Sequence, residues 1–261
     1  MDMTFSDRVA LVTGAASGIG RATARQLAER GARIAAVDRN ESALRELVST
    51  LPVSTATHLA VVRDLRPAES GADAVAEVMM KAERLDILVN AAGVCHFNRM
   101  NTITPEEWDE VLEIDLRSLF FISVAAAEAM EPSRGGRIIN LGSNAGRKGR
   151  ALSAHYAAAK AGVANLSESL ALAYGSKNIC VNTVCPGPTD TPMWEGNFRE
   201  LTAITGKTSG EFLQAWTTQT PLSRIGTPED VANLITFLAS DRAAFITGQE
   251  INVCGGFMLT S

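Results

Sequence analysis

The stretch RVALVTGAASGIGRATARQLAERG, residues 8–31, decides the fold. RVALVT is apolar almost without interruption, as a strand covered on both faces requires. TGAASGIG follows it at once, and GRATARQLAERG continues with the spacing of an amphipathic helix. Gly14 permits a tight turn, Gly18 lets backbone come close to a phosphate, and Gly20 allows helix and strand to pack tightly. Ser17 and Ile19 lie between them, so the first N–H groups of the helix are presented to an anion. A glycine-rich turn between a strand and a helix is the context in which this motif binds a dinucleotide.

The same alternation runs outward along the chain. RIAAVD (33–38), HLAVV (58–62), DILVN (86–90), RIINLG (137–142), ICVNTVC (179–185) and EINVC (250–254) read as further strands. Residues 105–130 and 153–175 read as helices between them. Strand and helix in turn predict an α/β fold, a doubly wound Rossmann-type parallel sheet of about seven strands with helices on both faces. No repeat, low-complexity tract or linker divides the chain, so residues 1–261 are expected to form a single dinucleotide-binding and catalytic domain. Pro, Gly and polar residues at 186–226 interrupt the pattern, and the excursion at about 188–217, read as a substrate loop, is long enough to be functional. After it, Thr227 is placed as an N-cap, with Pro228 at the first helical position and Glu229 and Asp230 at the positive end of the dipole.

Composition narrows the function classes. In 261 residues, 24 basic against 29 acidic side chains give a net charge of −5, with no basic stripe, which argues against nucleic acid. No 18-residue apolar segment and no signal-like N-terminus are present, so no membrane partner and a cytoplasmic location are expected. Cys95, Cys180, Cys185 and Cys254 show no C-x-x-C spacing, and His58, His96 and His155 are scattered. Free thiols, with no disulfide and no metal, are expected.

Asp38 ends the second strand 18 residues beyond Gly20, where a carboxylate accepts hydrogen bonds from ribose hydroxyls and repels a 2′-phosphate. NAD is therefore expected over NADP. Arg39 beside it would bind that phosphate if Asp38 turned away, while Ser17 offers no basic side chain to help. GKTSG at 206–210 has the end of a P-loop, but the motif needs a glycine where Leu201 stands, and a preceding strand.

TGAASGIG (13–20), Asp64–Leu65, NAAG (90–93), Ser143, YAAAK (156–160) and PGPTDTPM (186–193) together resemble the short-chain dehydrogenase/reductase family, over essentially the whole chain. The resemblance implies that Tyr156 is the general base for alcohol oxidation. A free phenol titrates near ~10, so reaching ~7 takes about 4 kcal/mol of anion stabilisation, and Lys160 four residues on, with the positive nicotinamide, is the expected source. By the same resemblance Ser143 bonds the substrate oxygen and Lys160 also holds the nicotinamide ribose. Asp64 and Leu65 meet the adenine, Asn90, Ala91 and Gly93 border the cofactor ribose, and Pro186, Gly187, Thr189 and Thr191 bracket the nicotinamide. A fourth family residue, an asparagine whose carbonyl holds a relay water, falls on Asp115, which keeps the carbonyl and adds a charge. NAAG has alanine where a second asparagine is common, and Cys254 stands where aspartate is common.

The substrate walls are expected from Val94, His96, Asn144, Ala145, Leu152, His155, Met193, Trp194 and Phe198, beside Ser143 and Tyr156. That mixture suits a medium-sized secondary alcohol or ketone. RKGR (147–150) carries three positive charges close to Tyr156; it could steer a carboxylate or phosphate of the substrate, but a solvated basic loop or a subunit contact is the preferred reading. The expected activity is hydride transfer between NAD and a secondary alcohol, such as a polyol or sugar. A 3-oxoacyl thioester reductase using NADPH and a non-catalytic nucleotide-binding protein are the alternatives. A homotetramer is the family's usual assembly.

Overall fold

The computed structural model describes residues 3–52, 57–67, 69–130 and 134–259. The strands are β1 (Val9–Thr13), β2 (Arg33–Asp38), β3 (Leu59–Val62), β4 (Ile87–Asn90), β5 (Gly136–Leu141), β6 (Ile179–Pro186) and β7 (Glu250–Val253). The helices are α1 (Gly18–Glu29), α2 (Glu41–Thr50), α3 (Ser70–Ala82), α4 (Pro105–Leu112), α5 (Leu119–Ala129), α6 (Ala154–Tyr174), α7 (Met193–Thr205), α8 (Ser209–Gln219) and α9 (Pro228–Ala239). Each apolar run in the sequence falls on a strand, with ends agreeing to within one residue.

All seven strands pair in parallel in the order β3-β2-β1-β4-β5-β6-β7. Alternate side chains of each strand enter two apolar layers. Ala10, Val12, Ile34 and Ala36 pack with Leu27 of α1, Leu44 and Leu47 of α2, and Ile235 of α9. Val9, Leu11, Ala35 and Val37 pack with Val75 and Val78 of α3, Ile122 of α5 and Leu170 of α6. Leu11, Leu27, Leu44 and Leu47 have no exposed surface, and each such burial stabilises the fold by about 1.5–3 kcal/mol. Because both layers are covered, the strands need no polar face, which is why they read as continuous apolar runs.

β1 has β2 on one side and β4 on the other, so the chain reverses its direction of winding there. Ligands of open parallel sheets bind at this switch point, outside the carboxyl ends of the strands. Thr13, Asp38, Asn90, Leu141 and Pro186 are the residues at those ends.

Two sequence expectations are corrected. Residues 105–130 are not one α-helix: a π-helical segment, Glu113–Ser118, separates α4 from α5. The Ser118 hydroxyl donates to the Ile114 carbonyl at 2.7 Å, a side-chain bond one turn back that competes with the backbone ladder and loosens it. The 188–217 excursion is not a loop but the helical hairpin α7–α8. Gly206, at φ +75°, ends α7 in the left-handed region, and Thr208 caps α8 with a Thr208–Glu211 capping box. GKTSG is this turn. The start of α9 matches its reading, with Thr227 and Asp230 forming another capping box and Pro228 first in the helix. Among the described residues no helix is long and apolar enough to cross a membrane.

Candidate active site

A cleft of about 540 Å³ lies over the carboxyl edge of the sheet, between the glycine turn and the α7–α8 hairpin. At one end the Thr13 hydroxyl accepts N–H bonds from Ala91 and Ala92 at 3.0 and 3.1 Å, fastening the exit of β4 to the exit of β1. Gly14 sits at φ +62°, and a Cβ there would lie 2.8 Å from the Ala91 carbonyl oxygen. A Cβ on Gly20 would lie 2.2 Å from the Gly14 carbonyl oxygen, so only glycine lets α1 start this close to the strand. The Ser17 side chain makes no capping bond and the first turn holds no acid. The N–H groups of that turn are therefore left for an external anion.

Asp38 is held in place. Its Oδ2 accepts the Ala16 N–H at 3.1 Å and its Oδ1 the Asn40 N–H at 2.9 Å, and the carboxylate still faces the cleft. Arg39 lines the same end. Asp64 is tied to the Arg66 side chain, whose hydrogen bonds hold its carboxyl below the usual range. Leu65, Ile19, Pro186, Gly187, Thr189 and Thr191 line the cleft with Ser17, Gly18, Asp64, Ala91 and Gly93. Asn90 does not: its amide donates inward to Ser123 Oγ at 2.9 Å and Asn140 Oδ1 at 2.8 Å, making it a buried tie between strands and helices.

At the other end Ser143 follows β5, its hydroxyl accepting the Ala145 N–H at 3.1 Å and also meeting the Tyr156 phenol. Tyr156 and Lys160 stand one turn apart at the start of α6, with Lys160 Nζ 5.6 Å from the phenol ring centre. The ammonium donates to the Leu141 carbonyl at 2.9 Å and pairs with Asp115 Oδ2 at 3.2 Å. Asp115, on the π-helical segment, has no exposed surface, and its Oδ1 accepts the Val94 N–H at 2.7 Å. Burial raises its pKa, against the pull of Lys160.

The expectation for Tyr156 counts Lys160 together with the positive nicotinamide, and Lys160 alone does not lower the phenol's pKa. Its pKa stands well above the usual phenol value, raised chiefly by burial and further by the nearby Asp115 carboxylate, with the Ser143 hydrogen bond acting against them. The positive charge expected to acidify the phenol is matched by Asp115. In the chain by itself Tyr156 holds its proton at neutral pH.

Val94, Asn144, Ala145, Met193 and Trp194 line the cleft as expected. His96, Leu152, His155 and Phe198, expected there, do not. One residue along a helix turns a side chain by about 100°, so His155 points away from the face of Tyr156. It is fully buried, with its ring stacked on His96 at 6.5 Å, and burial lowers its pKa. His96 faces Glu200 of α7 at 3.3 Å and Glu110 of α4 at 3.4 Å. Leu152 gives its carbonyl to Asn98 N–H, and Phe198 packs against Trp194 with ring centres 5.5 Å apart. The sequence reading missed Phe97, Phe212, Trp216 and Phe257 as cleft residues, and of the RKGR cations weighed there it is Arg150 that lines the cleft. Phe212 and Trp216 are four apart, a helical spacing that puts both on one face of α8 once the excursion is read as helix.

The family model described as enoyl-(acyl carrier protein) reductase matches residues 14–258. The chain belongs to the short-chain dehydrogenase/reductase family, and it is a short-chain oxidoreductase. It is 37% identical over 257 residues to the 3-oxoacyl-[acyl-carrier-protein] reductase FabG of Escherichia coli (strain K12), covering 98% of this chain and 100% of that one. To the cis-4-hydroxycyclohexanecarboxylate dehydrogenase of Sinomonas cyclohexanicum it is 38% identical over 258 residues, covering 98% and 99%. A crystal structure of a short-chain type dehydrogenase/reductase from Mycobacterium marinum superposes with a TM-score of 0.87 at 27% identity, covering 98% of each chain.

Proposed function

We propose that the chain interconverts a secondary alcohol and its ketone with NAD, with Ser143, Tyr156 and Lys160 carrying the proton chemistry. The observation behind this reading is that these three side chains and the glycine turn open into one cleft at the switch point of the sheet. The residues fit a dinucleotide: uncapped N–H groups at the start of α1, glycines where a Cβ would collide, and a fixed carboxylate at the end of β2. Bound there, the nicotinamide supplies or accepts the hydride.

The chain's own part is to bind the substrate oxygen and move its proton. Ser143 and Tyr156 hold that oxygen between two hydroxyls, and Tyr156 gives its proton as a ketone is reduced or takes one as an alcohol is oxidised. With its pKa raised, Tyr156 is ready as a proton donor at neutral pH, and oxidation quickens as pH rises toward that pKa. Lys160, anchored by Leu141 and Asp115, sets the electrostatics of the phenol.

The choice of NAD rests on Asp38. Freeing its place for a 2′-phosphate would break two backbone hydrogen bonds, and Arg39 gains no partner unless that happens. Trp194, Trp216 and Phe212 present hydrocarbon to the substrate, and the Trp194 indole N–H is already given to the Thr189 carbonyl. Among polyols, sugars and similar hydroxy compounds, this wall favours the less hydroxylated. The Sinomonas relative, named for a ring-borne hydroxyl, supports the same direction. A 3-oxoacyl thioester reductase using NADPH is the second reading, favoured by the name of the Escherichia coli relative.

Following reduced-cofactor absorbance with NAD and NADP in parallel, against polyols, cyclic and aryl alcohols and 3-hydroxyacyl thioesters, tests both. Turnover confined to NADPH and thioesters would replace the first reading with the second. A Tyr156→Phe variant with full turnover would remove the mechanism, and a non-catalytic nucleotide-binding role would be the reading left by no turnover at all. A cytoplasmic homotetramer without nucleic acid or membrane partners completes the proposal. Phe120, Phe121 and Leu172, 37%, 41% and 87% exposed on α5 and α6, give an apolar surface for assembly, and a monomer by light scattering would overturn it.

A further inference from the structure

We propose that Arg150 is the anion-recognising residue of the substrate end and that the substrate is an apolar-bodied hydroxy acid, its carboxylate on Arg150 and its carbinol on Ser143 and Tyr156. The proposal rests on the alcohol–ketone reading above.

The three cations of residues 147–150 part company in the structure. Arg147 is paired with Glu250 at 3.1 Å and Lys148 is exposed. Arg150 turns into the cleft, where it is half-buried. Its contact there is a single hydrogen bond to Asn144 Oδ1 at 3.3 Å, and among the described residues no carboxylate lies within 4.0 Å of it. Elsewhere the arginines drawn toward the interior are answered by acids or carbonyls, as Arg84 is by Asp86 and Arg137 by Asp241. A guanidinium taken partly out of water without a counter-charge destabilises the fold, and an arriving carboxylate removes that penalty. Burial accordingly lowers the pKa of Arg150.

Position and shape agree with a small acid. Asn144, which steadies Arg150, comes directly after Ser143 in the chain, so the anion site and the site for the reacting oxygen share one turn of backbone. A guanidinium presents a planar fork of N–H groups that matches a carboxylate. The same cleft is lined by Trp194 and Trp216, ring centres 4.6 Å apart, with Met193 and Leu201, an apolar wall for a ring or short hydrocarbon.

The test compares 3-hydroxycyclohexanecarboxylate with its methyl ester, in the wild-type chain and in Arg150→Gln and Arg150→Lys, with NAD. The acid should exceed the ester in kcat/KM, chiefly through KM. In Arg150→Gln the acid-to-ester ratio should fall by about 30-fold or more, as loss of one partner from a desolvated charge pair does, and Arg150→Lys should restore part of it. Equal values for acid and ester in the wild type, or a ratio unmoved in Arg150→Gln, would overturn the inference and leave the alcohol–ketone reading standing. Turnover of 3-oxoacyl pantetheine thioesters alone would instead sink that reading. If no alcohol turns over, calorimetry with cyclohexanecarboxylate and its carboxamide decides: binding of the acid only, lost in Arg150→Gln, upholds the anion site, and equal binding of both refutes it.

Discussion

Replacing Asp115 by asparagine removes the charge that balances Lys160 while keeping an oxygen for the Val94 N–H. Lys160 Nζ lies 5.6 Å from the Tyr156 ring centre and 3.2 Å from Asp115, so the carboxylate is within about 9 Å of the phenol. At an effective dielectric of ~20, a unit charge at ~9 Å is worth about 2 kcal/mol, or about 1.4 pKa units, and one at ~6 Å about 3 kcal/mol. Asp115 thus cancels more than half of the help Lys160 gives the phenolate. In Asp115→Asn the pKa of Tyr156 should fall by about one unit or more. The chain has two tyrosines, so ultraviolet titration of the phenols, with Tyr156→Phe subtracted to remove Tyr174, reads the shift without turnover. The rising limb of kcat/KM for alcohol oxidation should move to lower pH by the same amount. An unmoved titration would refute the reasoning, because Asp115 would then carry no charge that the phenol feels. The variant should also unfold more easily, since breaking a buried pair costs about 3–5 kcal/mol.

Other outcomes rest on single contacts. Asp38→Ala should raise kcat/KM with NADP relative to NAD by about tenfold or more, since one charge repulsion is removed, and an unchanged ratio would contradict the assignment of that carboxylate. Gly20→Ala would place a Cβ 2.2 Å from the Gly14 carbonyl oxygen, so the chain should lose about 1–3 kcal/mol or fail to fold, seen as a lower urea midpoint. Asp230→Ala breaks the α9 capping box and should cost about 1 kcal/mol. Asp230 titrates at about 2, held down by Arg224, against ~3.9 when unfolded. Its contribution is therefore complete above the unfolded value and lost as pH falls toward about 2, and the wild-type and variant melting curves should converge in that acid window.

The sheet was legible in the sequence because burial on both faces leaves strands no choice but to be apolar, and the glycine turn because its residues are forced by contacts one strand away. Helical packing was harder to read. His155 looks like a wall residue by proximity to Tyr156, yet one step of helical rotation turns it away. Phe198, on the same face as Trp194, is covered by Trp194, Phe212 and Trp216, while Phe212 and Trp216 reach the cleft from a helix whose flanking proline, glycine and polar residues disguise it. The charge balance at Lys160 was hidden for another reason. Asp115 lies 45 positions away in the chain, and only the meeting of the π-helical segment with α6 pairs them. Arg150 could be suspected from RKGR, but which of its three cations turns inward depends on Glu250 having taken Arg147.

A π-helical turn is an α-helical turn carrying an extra residue. Deleting one residue between Glu113 and Ser118 would allow an unbroken α-helix from Pro105 to Ala129 with its two halves facing as they do now, yet it would remove the widened turn that carries Asp115 to Lys160 and so change what Lys160 meets. Insertion and deletion are then as consequential here as substitution. Comparing this chain with a relative one residue shorter would require the gap to be placed by geometry, because a gap one column off would credit the partner of Lys160 to its neighbour.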